Sequence, residues 1–481
     1  GQTMKMTAHL PPVGAKDSRE AELEVKSGGT WTSIGKSAMD PLSRTVTFRS
    51  DTWDATTDTP YRICYEWGGQ LHHYTGTIRK EPAGRPLVVA GFTGNTDPGF
   101  PNTKLAENVG IHNPDLLVFT GDQIYESVGG YGIHRSPVEL ATLNYLRKFW
   151  LCGWAFRDLT RDRPALFFPD DHDVYQGNIW GQGGRKVNGM AEHATGGYAM
   201  AAEWVNMVQR TQTSHHPDPH DATPVAQGIT VYYGGFTYGG VSFAVIEDRN
   251  VKSGPQGKVN EWKGRPDHVK DPDYDVAKLD KPGLVLLGDR QLSFLDAWAR
   301  DWSGAHLKVA LSQTIFCNLA NYHGGGQTYI PADLDSNGWP QTGRRKAVDV
   351  LRRGHAFHFA GDQHLPSIVH HGVDTWRDAG YSFCVPSIAA GYPRSWRPDA
   401  EGRPVRKRPA RQLPNTGDYQ DGLRNHVTVH AIGNPAAKNR PGRLETLHDK
   451  SSGYGILRLD PDKQTITMEC WRLLFDARNP K

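Results

Sequence analysis

The stretch FFPDDHDVYQGN, residues 167–178, poses the problem from which the fold can be read. An oily run ends at Pro169, and Asp170, Asp171, His172 and Asp173 follow without a spacer. Two carboxylates about 4 Å apart repel by roughly 1 kcal/mol in water and by about 4 kcal/mol at a partly shielded protein site. A surface turn can disperse that charge. A site behind a buried strand can hold it only with a cation among the carboxylates.

Two further apolar runs end in the same manner. DLLVFTGDQIYE (115–126) passes through Gly121 into Asp122, and HAFHFAGDQH (355–364) passes through Gly361 into Asp362 and His364. In α/β sheets, ligands sit at the carboxyl ends of strands, so three such ends carrying oxygen and nitrogen donors can converge on one point. A glycine before each acid lets the backbone turn sharply under a ligand. Each piece alone has a plainer reading: Gly-Asp is an ordinary turn and DDH an N-cap cluster. Together, in this order, they predict a metal site.

The rest of the chain supplies the frame. At 481 residues it exceeds the size at which one core usually stops growing, which predicts two domains. Residues 1–83 read as a small all-β sandwich of immunoglobulin or fibronectin type. Its candidate strands are AELEV, WTSI, RTVTF, YRICYEW and HYTGTI, with Tyr61, Ile63, Tyr65 and Trp67 expected on one face. KEPAGRP (80–86) reads as the linker, and residues 84–481 as a catalytic α/β domain. There PLVVA, DLLVF, ALFF, FAVI, LKVAL and HFA look like buried strands. Helical patterns alternate with them: VELATLNYLRKFW, YAMAAEWVNMVQR, RRKAVDVLRR, and LGDRQLSFLDAWARDW with Leu292, Leu295, Trp298 and Trp302 on one face. The Arg- and Pro-rich segment within 395–425 reads as a long loop, either solvated or facing an anionic substrate.

Several classes drop out. A net charge of +3 gives no argument for nucleic acid or membrane partners. No segment has the roughly 18 apolar residues of a membrane span, and GQTMKMTAHL carries no signal-peptide core, although a chain starting at Gly1 leaves earlier processing and export open. Cys64, Cys152, Cys317, Cys384 and Cys470 never form C-x-x-C and are expected as buried thiols. HHPDPHD (215–221) reads as a surface loop, His72 and His73 as solvent-facing, and GGGQ (324–327) lacks the GK[ST] of a phosphate-binding loop. Ser312 sits in no G-x-S-x-G elbow.

These motifs resemble those of the calcineurin-like metallophosphoesterase superfamily, and in particular of the PhoD-like alkaline phosphatases and phosphodiesterases. GDQIYE (121–126) matches the family's GD-x-IYE, PDDHD (169–173) its W-DDH-E, and GDQH (361–364) its GD-x-H; weaker echoes are EDRN around Asp248 and Arg249, LGDRQ (287–291) and DSNGWPQTGRR (335–345). The resemblance implies a layered β-sandwich flanked by helices behind a small N-terminal β-sandwich. It also implies a phosphomonoesterase or phosphodiesterase acting on a small or polymeric ester, secreted or periplasmic, using iron and calcium. Asp122 would bridge two metal ions, Asp171, Asp362 and His364 would complete the shell, Tyr125 would bind the harder ion, and His172 would be the adjacent catalytic histidine.

One departure stands out. Where the family offers a cysteine ligand after its first strand, VVAGFTGNTDPGFP (88–101) has Gly94 or a neighbour, leaving Asn95 and Asp97 as the donors there. Oxygen and nitrogen ligation without thiolate suits manganese, calcium, magnesium or zinc. Arg249 reads as a phosphate clamp or as an ion pair with Glu247 or Asp248, and Asn178 as a ligand, a substrate contact or a turn residue. Rival readings are a sulfuric ester hydrolase on the same metals and a non-catalytic binding protein on a degenerate phosphatase scaffold. The sequence does not set the oligomeric state.

Overall fold

The computed structural model describes residues 2–436 and 446–479; the remaining positions of the expected catalytic region lie outside the described residues. The N-terminal strands form two small antiparallel sheets. One has four strands in the order Thr30–Ala38, Glu20–Ser27, Thr59–Trp67, Gln70–Ile78, and the other pairs Met4–His9 with Thr45–Ser50. Leu23, Val25, Val46, Phe48, Tyr61 and Ile63 fill the space between them. Trp67 does not join that face: it is 58 % exposed at the hairpin tip. The module rests on the larger region through Tyr61, whose hydroxyl donates to the Arg161 carbonyl at 2.8 Å.

The larger region is built on two mixed sheets. The first runs Gly234–Tyr238, Val241–Val245, Leu307–Thr314, Phe357–Gly361, Tyr381–Cys384, Ser367–His371, His426–Ile432, Gly417–Gln420. The second runs Thr465–Arg472, Gly453–Asp460, Leu87–Asn95, Leu116–Phe119, Ala165–Phe167, with Ser387–Ala389 also paired to Leu87–Asn95. In the first sheet the central strands are parallel and the outer ones antiparallel; in the second, Leu87–Asn95, Leu116–Phe119 and the edge strand Ala165–Phe167 run parallel, and Gly453–Asp460 and Thr465–Arg472 add antiparallel on the other side. All six apolar runs read from the sequence lie in or directly extend these strands.

Their continuous hydrophobicity has a direct cause. Alternate residues of a strand point to opposite faces, and here both faces are covered. Leu87, Val89, Leu116 and Val118 meet Val241, Val309, Leu311 and Phe359 between the sheets. Val88, Ala90, Leu117 and Phe119 face the helices Thr103–His112 and Val138–Thr160 through Val109, Cys152 and Phe156. Ala244, Ile246 and Ala310 face the helices Gly288–Arg300 and Gln341–Arg353 through Leu295, Trp298, Val348 and Leu351. The architecture is a β-sandwich flanked by helices.

Some expectations are corrected. Trp302 lies past the helix end at Arg300 and is 39 % exposed, where Lys308 sits over its ring. Cys470 is exposed, because it lies on the outermost strand of its sheet. HHPDPHD is only partly a surface loop: the His216 side chain is buried and accepts the Phe167 N–H at 3.0 Å, tying the segment to a sheet edge. The 395–425 segment contains the edge strand Gly417–Gln420. No helix among the described residues is long and apolar enough to cross a membrane.

Candidate metal centre

Every predicted metal or catalytic residue lies at a strand's carboxyl end or in the loop that follows it. Asn95 ends the strand Leu87–Asn95, Asp122 and Tyr125 follow Leu116–Phe119, Asp171 and His172 follow Ala165–Phe167, and Asp362 and His364 follow Phe357–Gly361. The chain is bent hard to place them. Asp122, Asp362 and His364 all have left-handed backbone, with φ of 55°, 63° and 49°. Such residues cost of order 1 kcal/mol each and collect where function demands a particular aim. Gly121 is required for two reasons: its φ is 132°, and a Cβ there would lie 2.5 Å from the Asp170 Cβ. Gly361 is required by close approach alone, since a Cβ would lie 2.2 Å from Thr120 Oγ1.

The geometry separates ligand candidates from supports. Asp173 accepts the backbone N–H groups of Asp122 and Asp170 at 2.8 and 3.0 Å and the Gln212 amide at 3.0 Å, which holds two strand ends together. Asp170 is taken by Arg249, whose Nε donates to it at 2.6 Å. Asp171 differs: it is 3 % exposed and its Oδ1 is buried with no hydrogen-bond partner. Donor atoms of Asp122, Asp171 and His172 lie within 4.8 Å of one another, as do those of Asp170, Asp171 and Asp362. A buried, unpartnered carboxylate oxygen at the overlap of two such groups is well placed to take a cation.

The electrostatics agree. Burial, reinforced by Asp170, Asp173 and Asp362 against the opposing pull of His172, pushes the Asp122 carboxyl up to about 8. Burial drives Asp171 and Asp170 well above the usual carboxylate range, with the neighbouring acids adding to it. Burial works against a charged His172, but Asp171 and Asp122, with the hydrogen bond to Glu126, outweigh it and carry its pKa well up. Left alone, these carboxylates are forced toward their neutral forms; a bound cation restores the anions.

His172 is a quarter exposed and its Nδ1 lies 2.7 Å from Glu126 Oε2, with the Tyr125 ring at 4.1 Å. Sequence reasoning passes over Glu126, although it is the last letter of GDQIYE. Tyr125 and His364 meet directly, hydroxyl to Nε2 at 2.9 Å, while His364 Nδ1 is held by the Tyr392 carbonyl at 2.9 Å. Gly94 stands beside them: a Cβ there would lie 3.1 Å from His364 Nε2. Gly94, at or beside the position expected for the family's cysteine, is thus next to His364 and offers no side chain.

The remaining candidates already have partners. Arg249 does not pair with Glu247 or Asp248. Its nitrogens reach Asp170, Asp335 at 2.8 Å and Asp362 at 3.2 Å, because its own strand end points between those three acids. Asp335 carries no signal of its own in the sequence, though it opens the DSNGWPQTGRR echo. Asn178 donates to Asp267 at 2.7 Å, and Asn95 accepts from Asn102 at 3.3 Å.

The PhoD-like phosphatase family model matches residues 97–430. A solved structure of PhoD superposes with a TM-score of 0.65, at 15 % identity, over 98 % of this chain and 86 % of that one, which shows a shared fold. A second structure, the protein TT1561 of Thermus thermophilus, aligns at 8 % identity over 63 % of this chain and 90 % of that one with a TM-score of 0.27, too low to carry an argument. No curated protein matches the chain. With its family model spanning most of its length and the motif residues gathered at one cleft, the chain belongs to the PhoD-like phosphatases and is a phosphoester hydrolase.

Proposed function

We propose that this cleft hydrolyses phosphoric mono- or diesters with the help of two or more bound metal ions. Asp122, Asp171, Asp362, His364 and Tyr125 would hold the metals, with Asn95 and Asn178 joining if their amides exchange partners. The observation that carries this reading is the buried, unpartnered Oδ1 of Asp171. Metal ions bound there supply an acidified water as nucleophile and counter-charge for the phosphoryl oxygens. With Gly94 beside His364, the donors are oxygen and nitrogen, which favours manganese, calcium, magnesium or zinc over a thiolate-held ferric ion.

The chain's own groups do the rest. Glu126 fixes the His172 ring through Nδ1 and leaves Nε2 to deliver a proton to the departing ester oxygen. Arg249 orients Asp170 and Asp362, and it reaches a substrate phosphate only by releasing one of them. The family likeness supports a secreted or periplasmic location. The test is to strip the protein with chelator, restore it with single metals, and compare nitrophenyl phosphate, its diester and nitrophenyl sulfate. Recovery on a phosphate ester but not on sulfate supports the reading; full activity in the stripped protein overturns it.

A further inference from the structure

A second group of donors lies beside the cleft in residues to which no role has been given. His268, His323 and Asp333 are 5 %, 1 % and 0 % exposed, and one donor atom of each lies within 4.8 Å of the others. The backbone fixes their relation. Strand His268–Val269 pairs antiparallel with Ala332–Asp333, setting His268 opposite Asp333, and His323 comes from the strand Tyr322–His323 of a separate three-stranded sheet, where it lies opposite Arg394. Nothing in this arrangement depends on the metals proposed above.

The hydrogen bonds leave this group open. His323 Nε2 lies 2.9 Å from the Ala320 carbonyl, which can only accept, so Nε2 carries the ring proton. His323 Nδ1 then has a free lone pair and is buried with no hydrogen bond, while the committed Nε2 stands 3.9 Å from Asp333 Oδ2. Asp333 Oδ1 accepts the Asp335 N–H at 3.0 Å, while Oδ2 is buried with no hydrogen bond. A neutral imidazole anchored to a carbonyl through one nitrogen is the usual posture of a metal ligand. Burial pushes His323 down to about 3 and His268 below its ordinary value, and against burial Asp333 is held below its own ordinary value, by His268 first and then by Arg394, His323 and Arg265. The charges are thus one anion and two neutral rings. Arg394, near Asp333 and with two unpartnered nitrogens, opposes a cation here. Arg265 and Arg394 face Asp267 and Asp333, while Arg249 and Lys252 answer Asp335 and Asp362, so the surroundings are close to charge balance.

We propose that His268, His323 and Asp333 form a separate site for one divalent transition-metal ion of the zinc type, completed by water. Two imidazoles and a carboxylate select such an ion over calcium or magnesium, which prefer all-oxygen shells. The site is a brace for the cleft. Asp335, two residues after Asp333, holds Arg249 at 2.8 Å, and Asp267, next to His268, holds Asn178 at 2.7 Å. An ion here would lock the segments that aim both groups.

The test uses full-length protein in which Asp122→Asn and Asp171→Asn disable the first centre. Chelated protein is titrated with Co2+, read by visible absorption and bound-metal analysis, and with Zn2+, read by thermal melting. The proposal predicts one tightly held equivalent, a visible Co2+ spectrum and a rise in Tm with Zn2+. It predicts loss of all three in His323→Ala and in Asp333→Asn, with circular dichroism confirming the fold; His268→Gln, which keeps a polar group of similar reach, serves if either variant unfolds. Absence of bound metal in the parent, or binding unchanged in the folded variants, overturns it and leaves the group as a buried polar cluster.

Discussion

Two buried polar regions border the first sheet and behave differently. On the side facing the helix Gln341–Arg353, a chain of hydrogen bonds runs from Arg344 through His371, Ser382 and His358 to Ser312. Its direction is forced. Arg344 can only donate, to His371 Nδ1 at 3.2 Å, so His371 Nε2 donates to Ser382 Oγ at 2.6 Å. Ser382 then donates to His358 Nδ1 at 2.8 Å, His358 Nε2 to Ser312 at 2.7 Å, and Ser312 to the Thr314 carbonyl at 2.9 Å. Every group is satisfied and neutral except the terminal guanidinium. At strand ends drawn from both sheets, the cleft leaves Asp171 Oδ1 and Asp248 Oδ1 buried without partners. A closed circuit needs nothing more, whereas an open one has room for a ligand. The Ser312–His358 pair thus resembles a nucleophile and its base, yet it is fully buried with its proton committed to a carbonyl.

The sharpest way to break the comparison is to remove an open-circuit acid. Asp122→Ala is expected to lose bound metal and about 10³-fold or more in turnover of nitrophenyl phosphate. Retained metal with retained turnover would place the centre elsewhere. His172→Ala should keep its metal, measured by elemental analysis, while kcat falls about 10²- to 10⁴-fold, the range for a lost proton-transfer group.

Changes in the closed circuit should spare chemistry and cost stability. Ser382→Ala strands one nitrogen each of His358 and His371, which predicts a loss of about 2 kcal/mol in denaturant unfolding at unchanged kcat. A drop in kcat per folded molecule would instead tie the relay to catalysis. The smallest effect is in pH. Burial lowers His358 to about 3 and His371 well below its ordinary value. As pH falls, the unfolded chain protonates first, near 6.5, while the folded rings stay neutral. Stability contributed by the His358 ring is therefore complete above about 6.5 and is lost toward pH 3, at roughly 1.4 kcal/mol per pH unit, and the His371 ring acts in the same direction. His358→Gln should flatten the acid limb of a Tm-against-pH curve, and an unchanged slope would show that the ring is not the titrating group.

Much of this was legible because the physics was local. A strand buried on both faces must be apolar throughout, so LLVF, ALF and FHFAG announced themselves. A glycine forced by φ or by close approach must precede the acids that turn into the cleft, and GD appeared twice. What stayed hidden depends on partners far along the chain. Asp335 matters because Arg249 reaches it across 86 positions, and Asp267 because Asn178 does across 89. The strands Gly453–Asp460 and Thr465–Arg472 complete the second sheet, yet the outer one is half exposed and carries no apolar run. Glu126 was visible in a motif, but its role needed the 2.7 Å contact to His172.

The central claim is that the open carboxylate of Asp171 exists to hold metal. It is tested most directly by measuring metal per chain in the wild type and in Asp171→Asn, both purified without chelator, alongside nitrophenyl phosphate turnover. The account predicts at least one more tightly bound equivalent in the wild type than in the variant, and collapse of turnover with its loss. Equal metal content and equal turnover in the two proteins would contradict it.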